Sequence, residues 1–231
     1  MCFSVESNQV GMKIKGFLFD VDGVLYDSMP LHEQAWRRAF LDVGIKIKRT
    51  DIYYIEGMPS PKTALRLAAL AKQKLTKQQF NHIIRRKREL YSSFSNPKLI
   101  KGAKQLIRHL QKNGYKIGLV TGTTQSKTMK RIKQDFNISP NKIISGQETK
   151  NSKPHPEPFL QGLKKLQLKP DQAIVIENAP LGIRSAKSAK IKCVAITTGP
   201  IAKKDLKREG ADWIFKDSAE VLKNFHKIVT Q

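Results

Sequence analysis

Lys15-Gly16-Phe17-Leu18-Phe19-Asp20-Val21-Asp22-Gly23-Val24 is the stretch on which the reading of this chain turns. An apolar run, Phe17 to Phe19, leads directly into two aspartates one residue apart and then a glycine. Short continuous apolar runs mark strands buried on both faces of a parallel sheet. In open α/β sheets, ligands bind beyond the carboxyl ends of such strands. Two carboxylates placed there need their charge offset, so Asp20 and Asp22 point to a metal site, a nucleophile or both.

Downstream the pattern is first helical and then alternating. Leu31, Ala35, Trp36, Ala39 and Phe40 have helical spacing over 30–44, closed by Gly44. Segments 61–72 and 77–92 repeat it, the first opening with Ser60 before Pro61. Nothing from 30 to 96 reads as strand. From Pro97 onward the pattern predicts helices at 102–112, 125–134, 157–166, 181–189 and 218–225. Strands are predicted at 116–120, 142–144, 173–176, 194–197 and 214–215. Such alternation implies an α/β fold, a Rossmann-like parallel sheet with helices on both faces. Segment 30–96 is then an inserted all-helical cap domain, joined at Pro30 and Asn96-Pro97 and able to close over the strand ends. Segments 12–29 and 97–231 form the catalytic core. Residues 1–11, mixed polar with no signal-like apolar centre, read as a disordered leader or an upstream start.

At 231 residues with 39% hydrophobic and 27% charged content, the chain has the composition of a soluble globular protein. Cys2 and Cys193 are too few and too far apart for a disulfide framework or a zinc site, which suits a reducing, cytoplasmic compartment. No apolar stretch has the length of a membrane span. The net charge of +24 raises a nucleic-acid partner, since a basic surface attracts phosphate backbones whatever their sequence. The excess is spread over the chain, however. Its one dense run, Arg85-Arg86-Lys87-Arg88, follows Phe80, Ile83 and Ile84 at helical spacing and reads as a solvated helix face. A basic surface would also concentrate small anionic substrates. A monomer is expected.

Four predicted strand ends carry polar residues that the topology would bring together. The first has Asp20 and Asp22, and the second Thr121-Gly122-Thr123-Thr124. A loop after the third carries Lys153 in Ser152-Lys153-Pro154-His155-Pro156, and the fourth ends in Glu177-Asn178. Each element alone is common; their order and placement together are not.

In these residues the chain resembles the haloacid dehalogenase superfamily, whose four motifs the DxDG, the threonine, the Lys-Pro-x-Pro lysine and the acidic strand end match in order. The helical insertion resembles the cap of the branch containing β-phosphoglucomutase and phosphoglycolate phosphatase, as do Asp27-Ser28, His32 and Trp36 at its start. The run 177–182, Glu-Asn-Ala-Pro-Leu-Gly, is similar to phosphatase-like members including ones acting on pyrophosphate. The resemblance implies a Mg²⁺-dependent phosphatase acting on a small phosphorylated metabolite or pyrophosphate. Asp20 would be nucleophile and metal ligand, and Asp22 the acid and base, its backbone carbonyl also facing the metal. Thr121, Gly122 and Thr123 would hold phosphate oxygens and Lys153 would neutralise charge. Glu177 and Asn178 would complete the metal end, with Asn178 standing where many relatives have aspartate. Asp22 favours phosphoryl chemistry over dehalogenation, because a halide leaving group needs no proton.

Within the cap, Glu56 either reaches the metal or substrate on closure or is an exposed acid at a loop start. His32 either orients Asp22 or is a packed residue. Met58-Pro59-Ser60-Pro61 stands where β-phosphoglucomutase-like enzymes carry a phosphate-gripping arginine, which favours a hydrolase over a phosphosugar mutase. The remaining alternative is a nucleic-acid or partner-binding protein on a hydrolase scaffold.

Overall fold

The structure, a computed structural model, describes residues 14–94, 96–122 and 126–230. Six parallel strands are β1 (Gly16–Phe19), β2 (Lys116–Val120), β3 (Ile143–Ile144), β4 (Ala173–Glu177), β5 (Lys192–Ile196) and β6 (Trp213–Phe215), in the spatial order β3-β2-β1-β4-β5-β6. β1 lies at the centre because its side chains are apolar on both faces. Phe17 and Phe19 face one layer and Leu18 the other. The register pairs Phe19 with Leu119 on one side and with Ile176 on the other, so Asp20 emerges level with the ends of β2 and β4.

Four helices fill the interval between β1 and β2 before the core resumes: α1 (Met29–Leu41), α2 (Arg49–Tyr54), α3 (Ser60–Leu70) and α4 (Lys77–Ser93). They share a cluster built from Trp36, Phe40, Ile52, Leu67 and Ile83, into which Leu181 of the core also packs. α4 opens with a capping box in which Thr76 and Gln79 satisfy each other's backbone amides. The α2 turn was not legible as helix. Its six residues are too few to show a period, and burial of Ile52 and Tyr53 decides its conformation.

The core helices are α5 (Ala103–Lys112), α6 (Ser126–Phe136), α7 (Glu157–Leu166), α8 (Pro180–Ser188), α9 (Lys203–Arg208), α10 (Ser218–Lys223) and α11 (Phe225–Thr230). Residues of α5, α6, α10 and α11 bury against Phe17 and Phe19, and those of α7, α8 and α9 against Leu18 and Val175. Right-handed crossovers produce this division: connections running outward from β1 in opposite directions place their helices on opposite faces. The short α9 lacks a sequence period, as α2 does. The predicted single helix over 218–225 is instead two, parted at Asn224. Among the described residues, no helix is long and apolar enough to cross a membrane.

Candidate active site

The reversal of strand order around β1 creates a crevice at the carboxyl ends, where this topology places ligands. A cavity of about 390 Å³ opens there, within the size range of small-molecule sites. Asp20, Asp22 and Gly122 line its floor, and His32, Glu56, Lys87 and Arg88 of the cap line its roof.

Lys153 ties two strand ends together. Its Nζ donates to Asp20 Oδ1 at 2.5 Å and to Glu177 Oε1 at 2.6 Å, with all three side chains buried. Burial alone would push the ammonium down, but the two carboxylates overcome it and hold Lys153 firmly charged. Glu177 Oε2 accepts from the amides of Asn178 (2.7 Å) and Ala179 (2.8 Å), so both oxygens of Glu177 are already engaged. This fit requires Gly182, where a Cβ would come within 1.7 Å of Glu177 Oε1. Gly57 has a positive φ of 96° and lies against the Lys153 side chain, its absent Cβ letting the cap loop approach.

Of the four expected metal ligands, Asp20 and Asn178 carry uncommitted oxygens, while Glu177 is turned to Lys153 and the strand-end amides. Asp20 Oδ2, Asn178 Oδ1 and Glu56 Oε1 are buried without a hydrogen-bond partner. Asn178 Nδ2 donates to Glu56 Oε2 at 3.1 Å, which brings the cap acid to the strand end. Glu56 is therefore no exposed loop acid. The described Asp, Glu, His and Cys residues by themselves form no three-membered metal cluster, and Asn178 adds an unpartnered amide oxygen to the carboxylates. Burial pushes Asp20 up to about 8, with Glu177 and Asp22 adding to the rise against the pull of Lys153. Burial also drives Glu56 well above its ordinary value, reinforced by Asp20 and Glu177. Three buried carboxylates thus face one ammonium, an imbalance that a hard divalent cation would correct. The donor set fits such an ion.

Asp22 has a different environment. Burial would raise its pKa, but hydrogen bonds from His32 and Ser28, with the Lys87 charge beyond them, bring it down to about 2. Ser28 Oγ donates to Asp22 Oδ1 at 2.6 Å, and His32 Nε2 lies 3.5 Å from the same oxygen. Lys87 Nζ stands 3.2 Å from His32 Nδ1, so the ammonium donates to Nδ1 and the ring proton sits on Nε2, facing Asp22. Burial and Lys87 lower the His32 pKa, keeping the ring neutral. The ring stacks on Tyr91 with centroids 4.0 Å apart.

Lys87 corrects the reading of 85–88 as a solvated face. Arg85 does point outward and Arg86 pairs with Asp42 at 2.8 Å, yet Lys87 turns inward between Trp36 and Tyr91 and Arg88 lines the cavity. The signal was present in the sequence: Lys87 lies four residues beyond Ile83, which is fully buried, and so on the same helix face. Thr121 is buried at the end of β2, and Gly122 lines the cavity. Thr123 lies outside the described residues.

A carboxylate pair, a buried lysine and an acidic strand end thus meet at the switch point of a parallel sheet. A model of the haloacid dehalogenase-like hydrolases matches residues 17–196, and the chain belongs to that family. It is similar to hexitol phosphatase A of Escherichia coli, with 29% identity over 189 residues covering 80% of this chain and 84% of that protein. It is 24% identical over 220 residues to PpaX, a provisionally assigned pyrophosphatase of Caldanaerobacter subterraneus, covering 92% of this chain and 94% of that one. A solved structure from Bacteroides vulgatus, provisionally assigned as a beta-phosphoglucomutase, superposes with a TM-score of 0.86 at 30% identity, covering 96% of this chain and 93% of that one.

Proposed function

We propose that the chain is a Mg²⁺-dependent phosphatase that hydrolyses a small phosphorylated metabolite or pyrophosphate through an aspartyl-phosphate on Asp20. The observation that carries this reading is the pairing of a cavity-lining Asp20, one oxygen held by Lys153 and the other uncommitted, with a low-pKa Asp22 two residues on. One carboxylate oxygen of Asp20 would attack phosphorus and the other would face the metal. Lys153, held by Glu177, offsets the repulsion between carboxylate and phosphate, which at ~4 Å is about 4 kcal/mol per pair of unit charges for an effective dielectric near 20. Asp20, Asn178, Glu56 and the Asp22 carbonyl would hold Mg²⁺, which when bound supplies further neutralisation of the transferring phosphoryl group.

Asp22 would protonate the leaving oxygen and then accept a proton from the water that hydrolyses the acyl-phosphate. Its low pKa in the free protein means that the incoming phosphate must raise it, which a dianion entering the cavity does. Ser28 and His32 orient the carboxyl for both steps. Thr121, Gly122 and Thr123 would bind the phosphoryl oxygens, as the resemblance implies. The cap at 30–96 acts as a lid and the protein works as a cytoplasmic monomer.

Lys87 and Arg88 support a mutase as the second reading, because two cations at the cap end of the cavity suit a second phosphate. The deciding experiment is a screen of phosphate release over sugar phosphates, phosphoglycolate, nucleotides and pyrophosphate, with Mg²⁺ and with EDTA. Metal-dependent release is expected. Isomerised sugar phosphate without free phosphate, stimulated by a sugar bisphosphate, would establish the mutase instead.

A further inference from the structure

Exposed cations without an ion pair to a described residue occur on both helical layers of the core, as Lys164, Lys203, Lys204 and Lys207 show on α7 and α9, but only one layer strings three cations along a single helix face. On the layer of α7, α8 and α9, Arg184 pairs with Glu209 at 2.8 Å, Lys187 with Asp212 at 2.8 Å and Arg208 with Asp205 at 2.9 Å, and Lys165 pairs with Glu148. On the opposite layer, α5 lies between α6 and α10. It carries Lys104, Arg108 and Lys112 at successive i, i+4 positions, a stripe along one helix face with about 6 Å between successive Cβ atoms. Lys130 and Lys133 extend this basic surface onto α6, and Lys223 and Lys227 extend it onto α10 and α11. None of these seven forms an ion pair with a described residue, and all but Lys104 are well exposed.

The layer's own acids are engaged elsewhere. Asp135 accepts from Arg131 and from Tyr26, Asp217 caps α10 through the Glu220 amide, and Glu220 accepts from the Lys216 amide. The catalytic cavity lies at the strand ends and uses none of these cations, so the proposed hydrolase activity leaves them without a role.

We propose that the α5–α6–α10–α11 layer is a docking surface for the phosphate backbone of nucleic acid, bound without sequence readout. A stripe of unpaired cations on a helical layer offers phosphates many contacts and bases none. The chemistry favours nucleic acid over a bilayer. The large exposed hydrophobics among the described residues, Leu41, Leu65, Leu70 and Leu160, all lie on α1, α3 and α7, so this layer has nothing to insert among acyl chains. A second copy of so basic a chain would be repelled.

The test is fluorescence anisotropy with a single-stranded RNA of about 20 nucleotides, titrated at salt between about 50 and 200 mM. The parent should bind, weakening steeply with salt. K104E/R108E/K112E should lose at least ~10-fold in affinity at the low-salt end and flatten the log–log salt slope by about 2. K203E/K204E/K207E on α9 changes the net charge by the same amount and should shift affinity less than about 3-fold. Both variants should keep the parent's phosphate release, which shows that they fold. Absence of RNA binding by the parent overturns the proposal. So does equal weakening by the two variants, which would mean overall charge and not this face, or preferential binding to vesicles of acidic lipid.

Discussion

Asn178 of the core donates its side-chain amide to Glu56 of the cap, 3.1 Å away, and each residue keeps one buried oxygen without a partner. The neutral amide at the strand end and the acid brought by the cap belong together. On the proposed function, Glu56 would supply the charge that an aspartate at position 178 would have brought.

That pairing predicts a charge exchange. E56Q should weaken Mg²⁺ binding by about 10-fold, an effect typical of losing one oxygen donor or its support. N178D alone should place two buried carboxylates side by side and destabilise the metal-free protein. E56Q/N178D should recover most of the lost affinity. Calorimetric Mg²⁺ titration reads all three, and additive losses in the double variant would rule the exchange out.

On the proposed mechanism, with Asp20 as nucleophile and Asp22 as acid and base, the two aspartates should separate by reaction step. D20N removes the nucleophile and should lower turnover by at least about 10³-fold. D22N removes the acid and base and should cost about 10²–10⁴-fold, with a smaller deficit for substrates whose leaving group needs no proton. Comparing a phenyl phosphate carrying a strongly acidic leaving group with an alkyl phosphate checks this. A D22N deficit independent of the leaving group would remove Asp22 from the protonation step.

Gly182 should tolerate no side chain. A Cβ there would press on Glu177 Oε1 at 1.7 Å and pull Glu177 from Lys153. Breaking such a buried pair costs about 3–5 kcal/mol. G182A should therefore show a large fall in denaturation midpoint together with lost activity. A midpoint equal to the parent's would contradict the placement.

Lys87 gives the pH dependence of stability. Burial holds its ammonium down at about 8, from an ordinary 10.5, despite the opposing pull of Asp22. Between those values the unfolded chain binds more protons than the folded one, so stability rises with pH across that window. Below pH 8 the penalty for the buried charge is fully present. K87M should raise stability at pH 7 by roughly 1–3 kcal/mol, the gain disappearing toward pH 10.5. Denaturant melts of both proteins at these two pH values test the sign.

Much of this site was legible because each motif sits where a long or strongly apolar element ends. Asp20 follows an uninterrupted apolar strand, and Glu177 follows Ile174-Val175-Ile176, so their convergence needed only the parallel register. The helices α2 and α9 were not legible, because six residues show no period and tertiary burial of Tyr53 or Leu206 fixes them. The hydrogen bonds of Glu177 to Lys153 and to the amides of Asn178 and Ala179 were not legible, because acidity alone does not reveal the donors around it. The inward turn of Lys87 was obscured by the three arginines around it.

The strand order also sets a sequence in time. A ribosome releases both aspartates early, but the lysine that steadies Asp20 lies 133 residues later and the strand end that holds the lysine 24 residues beyond that. β4 must then insert beside β1, on the side opposite to β2, before the constellation exists. On the proposed mechanism, a partly made chain would therefore carry Asp20 without Lys153 and Glu177 to support it, and activity would begin only when the sheet is closed around its first strand.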